Sequence, residues 1–305
     1  MLTTLLLCAL ALADTKTIAV QIALDRRGYS SNTIDGQWGR KSQSALEKFC
    51  AARGERAPTT PEEAYDRYFA DEPCLFAKDA VTDAELGALV KIPQDPAERA
   101  ALPRFGYESI QEMYAERGHV SMRTLARLNP GVDFSAVAAG TKILLPDVPA
   151  MATDLAVVKP VRAGAPGPNE ATLIRVSLSK FEVTAYNSKG RLIGLFPCSI
   201  ARDKAKIPQG ELKVTALIPH PNYTYTPDFT PKGQKVSRQI YPPGPNNPVG
   251  VAWIGLSLPG FGIHGTPTPE TIGRAESHGC FRLSNWNAAR LYAITRFGTR
   301  VVIEP

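Results

Sequence analysis

The sequence predicts a multidomain α+β chain, a mainly β C-terminal domain preceded by small helical modules. Three observations predict it. Residues 15–54 and 107–128 carry apolar side chains at helical spacing, residues 173–218 run in short, often alternating stretches, and segments rich in Pro, Gly and Ala separate the two. A length of 305 residues suits two domains, or one domain with modules. With 44% hydrophobic and 21% charged residues, the disordered and fibrous classes are excluded. No run of about 18 apolar residues occurs, so no transmembrane helix is expected.

Residues 1–13, MLTTLLLCALALA, form an apolar stretch ending in Ala11-Leu12-Ala13, the small-residue pattern of an export signal cleaved after Ala13. The stretch is short and lacks a basic start. An ordinary buried helix is the plainer alternative. Cys8 follows Leu7, which is not small, so lipidation is not expected there.

In residues 14–54, Ile18, Ile22 and Leu24 open a helix that Gly28-Tyr29 stops. Asp35-Gly36 marks a turn, and Ala45, Leu46 and Phe49 begin a second helix. Residues 55–104, rich in Pro and acidic residues, read as a partly ordered connector. Within 105–147, Ile110, Met113 and Tyr114 predict a helix, Leu125 and Leu128 a second, and residues 141–145 a strand. Residues 148–170 read as a linker. Strands are expected at 173–178, 181–186, 192–199, 211–218 and 300–303, with a hairpin loop at 187–190 and one helix at 285–296.

Charge divides along the chain. Residues 160–305 hold 17 basic and 8 acidic side chains, a net of +9, while the first 159 are net −3. A positive field favours anionic partners, but the clustered Lys/Arg stripe of a nucleic-acid binder is absent, so carboxylate-bearing substrates fit at least as well.

An exported chain meets an oxidising compartment, where Cys50 and Cys74 are candidates to pair. Cys198 has the pattern of a buried strand residue. Cys280 sits differently. Two of the four histidines fall between residues 264 and 280, in Ile263-His264-Gly265-Thr266 and Glu276-Ser277-His278-Gly279-Cys280-Phe281-Arg282. A nucleophilic cysteine needs to lose its proton, and a nearby imidazole that takes it favours an ion pair. A glycine before the cysteine lets backbone N–H groups approach a substrate carbonyl. His264 ends an apolar, strand-like run and is the candidate base. Two plainer readings compete. His264 and Cys280 taken singly are compatible with core positions. With His278 and His220 they would make a metal site, which no Cys-x-x-Cys or His-Glu-x-x-His pair supports.

The segment around these residues resembles the L,D-transpeptidase catalytic domain. The shared pattern is His264-Gly265-Thr266, then Ile272-Gly273, then Ser277-His278-Gly279-Cys280-x-Arg282, with Asn247-Pro248-Val249-Gly250 and Ile207-Pro208-Gln209-Gly210 upstream. The resemblance covers about residues 171–304. Departures are Asn287, where an acidic residue is usual, and Phe281, where Ile or Val is typical. The resemblance implies a β-sandwich with a short helix that remodels peptidoglycan without metal or cofactor. Cys280 would attack the third-residue carbonyl of a donor stem tetrapeptide, D-Ala would leave, and an amine would resolve the thioester. The acceptor would be another stem, a lipoprotein or a D-amino acid. Hydrolysis by water, as an L,D-carboxypeptidase, and a non-catalytic wall-binding role are the alternatives.

His264 would shuttle the proton and the Gly265 carbonyl would orient its ring. His278 and Ser277 would shape the loop. Gly279 and Cys280 N–H groups would hold the oxyanion, and Arg282 would fix the loop or meet a carboxylate. Ser277, Thr266, Trp253 and Tyr223 are the substrate-side candidates, although Trp253 also suits the core and Tyr223 a packed surface loop. Upstream, Gln21, Leu24, Gly28-Tyr29, Asp35-Gly36, Trp38-Gly39 and Phe49 resemble a peptidoglycan-binding-like helical domain, departing at Cys50 where Gln is common. Leu128-Asn129-Pro130 and residues 139–146 resemble the second half of a LysM module, which implies either a glycan partner or a structural spacer. An exported, cell-wall location follows from the same resemblance.

Overall fold

The computed structural model describes residues 12–73, 75–151, 165–203, 205, 207–226, 238–277 and 279–305. The expected signal segment therefore lies almost wholly outside the described residues, as does Cys74.

In helix α1 (Leu12–Arg26) every residue from Ile18 to Leu24 is buried. A helix buried all round over two turns needs partners on more than one side. One flank packs with α2 (Arg40–Ala51), α3 (Pro61–Ala64) and the π-turn Tyr65–Phe69; the other packs with α6 (Ile110–Arg117), α7 (Met122–Leu128) and β2 (Lys142–Pro146). Gly28, at φ +90°, ends α1 in the left-handed region that glycine adopts without cost. Gln21 then clamps the turn: its Oε1 accepts from Asp35 and Gly36 N–H at 3.1 and 3.0 Å, and its Nε2 donates to Ser42 Oγ at 3.0 Å.

The connector expected at 55–104 divides: α3 and the π-turn pack with the first module, and the residues from Leu75 to Leu89 pack with the second. Its strand β1 (Phe76–Ala80) pairs antiparallel with β2, Phe76 opposite Pro146 and Ala80 opposite Lys142, ahead of α4 (Asp83–Gly87) and α5 (Pro96–Ala101). Nothing local marks β1, since FAKDA is short and polar; its partner lies more than sixty residues away. α6 and α7 are capped by Ser109 and Ser121, whose hydroxyls accept from Glu112 and Thr124 N–H.

The C-terminal domain contains β3 (Leu173–Ser177), β4 (Glu182–Tyr186), β5 (Leu192–Pro197), β6 (Ile200–Ala201), β7 (Gly210–Pro219), β8 (Tyr223–Tyr225), β9 (Gln239–Tyr241), β10 (Ala252–Leu256), β11 (Gly262–His264), β12 (Ala275–Ser277), β13 (Phe281–Arg282), α8 (Asn285–Ile294) and β14 (Arg300–Glu304). Eight strands form one sheet in the order β13-β11-β10-β7-β14-β3-β4-β5. The long β7 joins its two halves: residues 210–213 pair with β14, and residues 214–219 with β10. A strand that changes partner along its length folds one sheet into two facing layers. Ile174, Val183 and Phe196 from one half share a core with Ile254, Ile263 and Phe281 from the other, and α8 adds Leu291 and Tyr292. The domain is mainly β, as predicted.

α8 also carries the N-terminal modules. Its Trp286 stacks on His119, centroids 5.0 Å apart, and Asn287 Nδ2 donates to Ser30 Oγ at 3.0 Å. Arg290 donates to the Asp25 carbonyl, and Gly28 and Ser30 exchange backbone hydrogen bonds with Leu195. The departure at Asn287 thus has a local cause: the position is buried against a neutral hydroxyl, where an amide can donate and a carboxylate would lose hydration unpaired.

Candidate active site

β11 lies between β10 and β13, and its register sets the site. His264 is opposite Trp253 on β10 and Arg282 on β13, while Ile263 is opposite Ile254 and Phe281. Directly opposed residues share a face of the sheet. Ile254, Ile263 and Phe281 are buried in the core, so Trp253, His264 and Arg282 project from the other side. Cys280 immediately precedes β13, and the Gly262 backbone hydrogen-bonds to it. The parallel β11–β13 pairing thereby brings the segment that carries Cys280 alongside the strand that carries His264.

His264 is buried, and its Nδ1 lies 2.7 Å from the Gly265 carbonyl. A carbonyl only accepts, so Nδ1 carries the proton and Nε2 presents its lone pair. Burial holds the imidazole down to about 4, helped by the Arg282 charge and opposed by the Gly265 carbonyl. The Cys280 thiol is pushed above its usual range by burial, with the Gly262 backbone and Arg282 acting the other way. Its Sγ donates to the Gly260 carbonyl at 3.5 Å. The resting pair is neutral thiol and neutral imidazole, in place of the ion pair that the sequence suggests, because both charged forms would lose hydration.

The other named residues divide. Gly279 is buried against Phe261, whose ring a Cβ would meet at 3.1 Å. Ser277 lies on β12, paired with Ala201 of β6, and His278 lies outside the described residues. Thr266 is buried in a turn with Thr268, their hydroxyls 3.2 Å apart. Tyr223 is on the β8–β9 hairpin, its ring 6.0 Å from Tyr241, which stacks in turn on Phe105 of the N-terminal part. Cys50 is a free, buried thiol, pushed up by burial. Its candidate partner Cys74 lies outside the described residues; Cys50 itself belongs to the apolar core of α1, α2 and the π-turn, where a buried cysteine commonly sits. Among the described residues no group of three His, Cys, Asp or Glu side chains could hold a metal ion.

The YkuD L,D-transpeptidase catalytic domain model matches residues 171–303. Residues 171–303 belong to the L,D-transpeptidase catalytic-domain family. The chain is similar to the putative L,D-transpeptidase YkuD of Bacillus licheniformis, 29% identical over 194 residues, 64% of this chain and 93% of that protein. It is 32% identical over 123 residues to a putative L,D-transpeptidase in the ATP synthase subunits region of Fuscovulum blasticum, 38% of this chain and 60% of that one. Among solved structures, L,D-transpeptidase 3 of Mycobacterium tuberculosis aligns at 16% identity with a TM-score of 0.37, over 56% of this chain and 77% of that chain.

Two side chains support the site: Trp253, read from sequence as a substrate-side or core residue, and Asn285, which was not singled out. The Trp253 indole stacks on the His264 imidazole, centroids 5.4 Å apart and nearly parallel. It also lies across Gly255 and Gly262, where a Cβ would meet its ring at 3.0 and 2.6 Å. Those glycines at β-paired positions were the available signal. The second support is Asn285. Its Oδ1 accepts from Val251 N–H at 3.3 Å and rests against Gly250 and Gly265. Gly250 has φ +64°, and a Cβ there would overlap Asn285 Oδ1 and approach Gly265 Cα to 2.6 Å. Gly250→Ala should cost about 2–5 kcal/mol, combining left-handed backbone strain with overpacking. Urea denaturation reads this directly, and a change well under ~1 kcal/mol would contradict the packing.

A cavity of about 550 Å³ lined by Leu178, Phe181, Ile200, Ile207 and Ile303 opens at the end of the sandwich, and neither Cys280 nor His264 lines it. A smaller one, about 300 Å³, lies between the modules at Arg104, Tyr107, His220 and Val251.

Proposed function

We propose that this L,D-transpeptidase domain acts on peptidoglycan through Cys280. One observation carries the reading: the segment bearing Cys280 runs alongside the strand bearing His264, with the His264 Nδ1–H committed to Gly265 and Nε2 left as base. As Cys280 Sγ attacks the third-residue carbonyl of a donor tetrapeptide, its proton passes to His264 Nε2 and negative charge moves to the carbonyl oxygen. The N–H groups of Gly279 and Cys280 are the donors suited to that oxygen. Collapse breaks the C–N bond, His264 returns the proton to the departing D-Ala amine, and a Cys280 thioester remains. An acceptor amine then attacks the thioester, giving its proton to His264 and restoring the thiol. The basic C-terminal half suits stem peptides bearing several carboxylates. The substrate places the reaction outside the cytoplasm, with the N-terminal modules as wall-contacting elements.

The test is mass spectrometry of the protein incubated with tetrapeptide muropeptides. A Cys280 acyl adduct and a crosslinked dimer lacking one D-Ala are expected. Tripeptide without dimer would instead indicate that water resolves the thioester. Absence of both adduct and product from folded protein would overturn the reading.

A further inference from the structure

Glu116 lies on α6, in the N-terminal part, yet its carboxylate is buried at the catalytic domain. Oε1 accepts from Tyr107 Oη at 2.7 Å, and Oε2 accepts from Asn285 Nδ2 at 2.9 Å. Burial raises this carboxyl to about 7 against the pull of those two hydrogen bonds. A carboxylate held in such a place is costly, so its partner is informative.

That partner is the hub of the site. Asn285 Nδ2 also donates to the Pro245 carbonyl at 2.9 Å, while Oδ1 takes the Val251 N–H. The amide is thus fixed from three directions, and its oxygen fills the space left by the missing side chains of Gly250 and Gly265. Gly265 supplies the carbonyl that holds His264 Nδ1. Each link in this chain is a direct contact.

We infer that Glu116 is a positioning residue for the transpeptidase centre, contributed by the N-terminal module: through Asn285 it seats the Gly250–Gly265 crossing that sets the tautomer and aim of His264. The inference rests on the reading of His264 as base. A helical module expected only to contact the wall would then also complete the catalytic geometry.

The experiment has two readouts on the full chain. Nitrogen-15 NMR of labelled histidines follows the His264 Nδ1–H, assigned among four histidines by its loss in His264→Ala. Intact mass follows the rate of Cys280 acylation by tetrapeptide. Glu116→Ala should shift or broaden the His264 signal and slow acylation by about 10–100-fold, as small misplacements of a catalytic group do. Glu116→Gln keeps an acceptor oxygen for Asn285 and should restore both readouts. Glu116→Asp, which keeps the charge but withdraws it by one methylene, covers the case in which Glu116→Ala fails to fold, and should disturb both. Asn285→Ala combined with Glu116→Ala should be no slower than either alone. A wild-type His264 signal and rate in folded Glu116→Ala or Glu116→Asp would overturn the inference. Should wild-type protein show no acylation, the functional reading fails, while the NMR comparison still tests the positioning.

Discussion

Cys280→Ala should abolish turnover and leave the fold intact. The side chain is only partly buried, at the end of the short strand β13, and the core beneath it is formed by Phe281 and Ile263. Removing one sulfur there takes away the group that forms the thioester and little packing. Intact-mass analysis should find no acyl adduct, with the thermal midpoint close to that of the wild type. Cys198 makes the contrast. It is fully buried within the sandwich core and its thiol is pushed far up by burial. Cys198→Ala should keep turnover and cost about 1 kcal/mol of stability. Product from folded Cys280→Ala protein would sink the mechanism.

His264→Ala should lower the rate of Cys280 acylation by about 10²–10⁴-fold, the range for loss of a general base. Because the imidazole also stacks on Trp253, His264→Gln serves as the second variant and should be similarly slow. A rate within ~3-fold of wild type in either variant would remove the base from the scheme. The pH behaviour follows from the neutral resting pair. His264 titrates at about 4 in the folded chain, so the acid limb of activity should fall near there and not near 6.5. Thiolate absorbance, taken as the difference from Cys280→Ala, should be absent at neutral pH and emerge only in alkali; a full thiolate signal at pH 6–7 would mean an ion pair. The same shift bears on stability. The unfolded imidazole binds its proton near 6.5, the folded one only near 4, so the contribution is complete above 6.5 and is lost as pH falls toward 4. Its size is up to about 3 kcal/mol. Glu116 has the opposite sign: its folded value of about 7 exceeds the unfolded 4.5, so its contribution is complete below 4.5 and is lost as pH rises through 7. The two slopes offset each other between about 4.5 and 6.5.

The candidate pair was legible because motif spacing survives folding unchanged: one parallel pairing between strands of three and two residues sets the segment carrying Cys280 alongside His264. Longer elements were legible for the ordinary reason, and β3, β4, β5, β7 and β14 fall within a few residues of their expected spans. The misses share a cause. β1 is recognisable only through β2, and the Glu116–Asn285 bond joins residues 169 apart, so no local pattern reports either. Protonation state escapes the sequence for another reason: residue identity names an acid and a base, whereas burial decides which of their forms is populated. Cys50 looked like half of a disulfide by count alone, yet its surroundings are those of a core apolar residue.

Helix α1 has no free face, since one flank completes the core of α2 and α3 and the other that of α6, α7 and β2. Unfolding it would strip two cores at once and release the contacts that Asp25, Gly28 and Ser30 make with the catalytic domain. The parts of this chain therefore stand or fall together, as one cooperative unit in place of beads on a string, and heating should melt the N-terminal modules and the catalytic domain in a single transition.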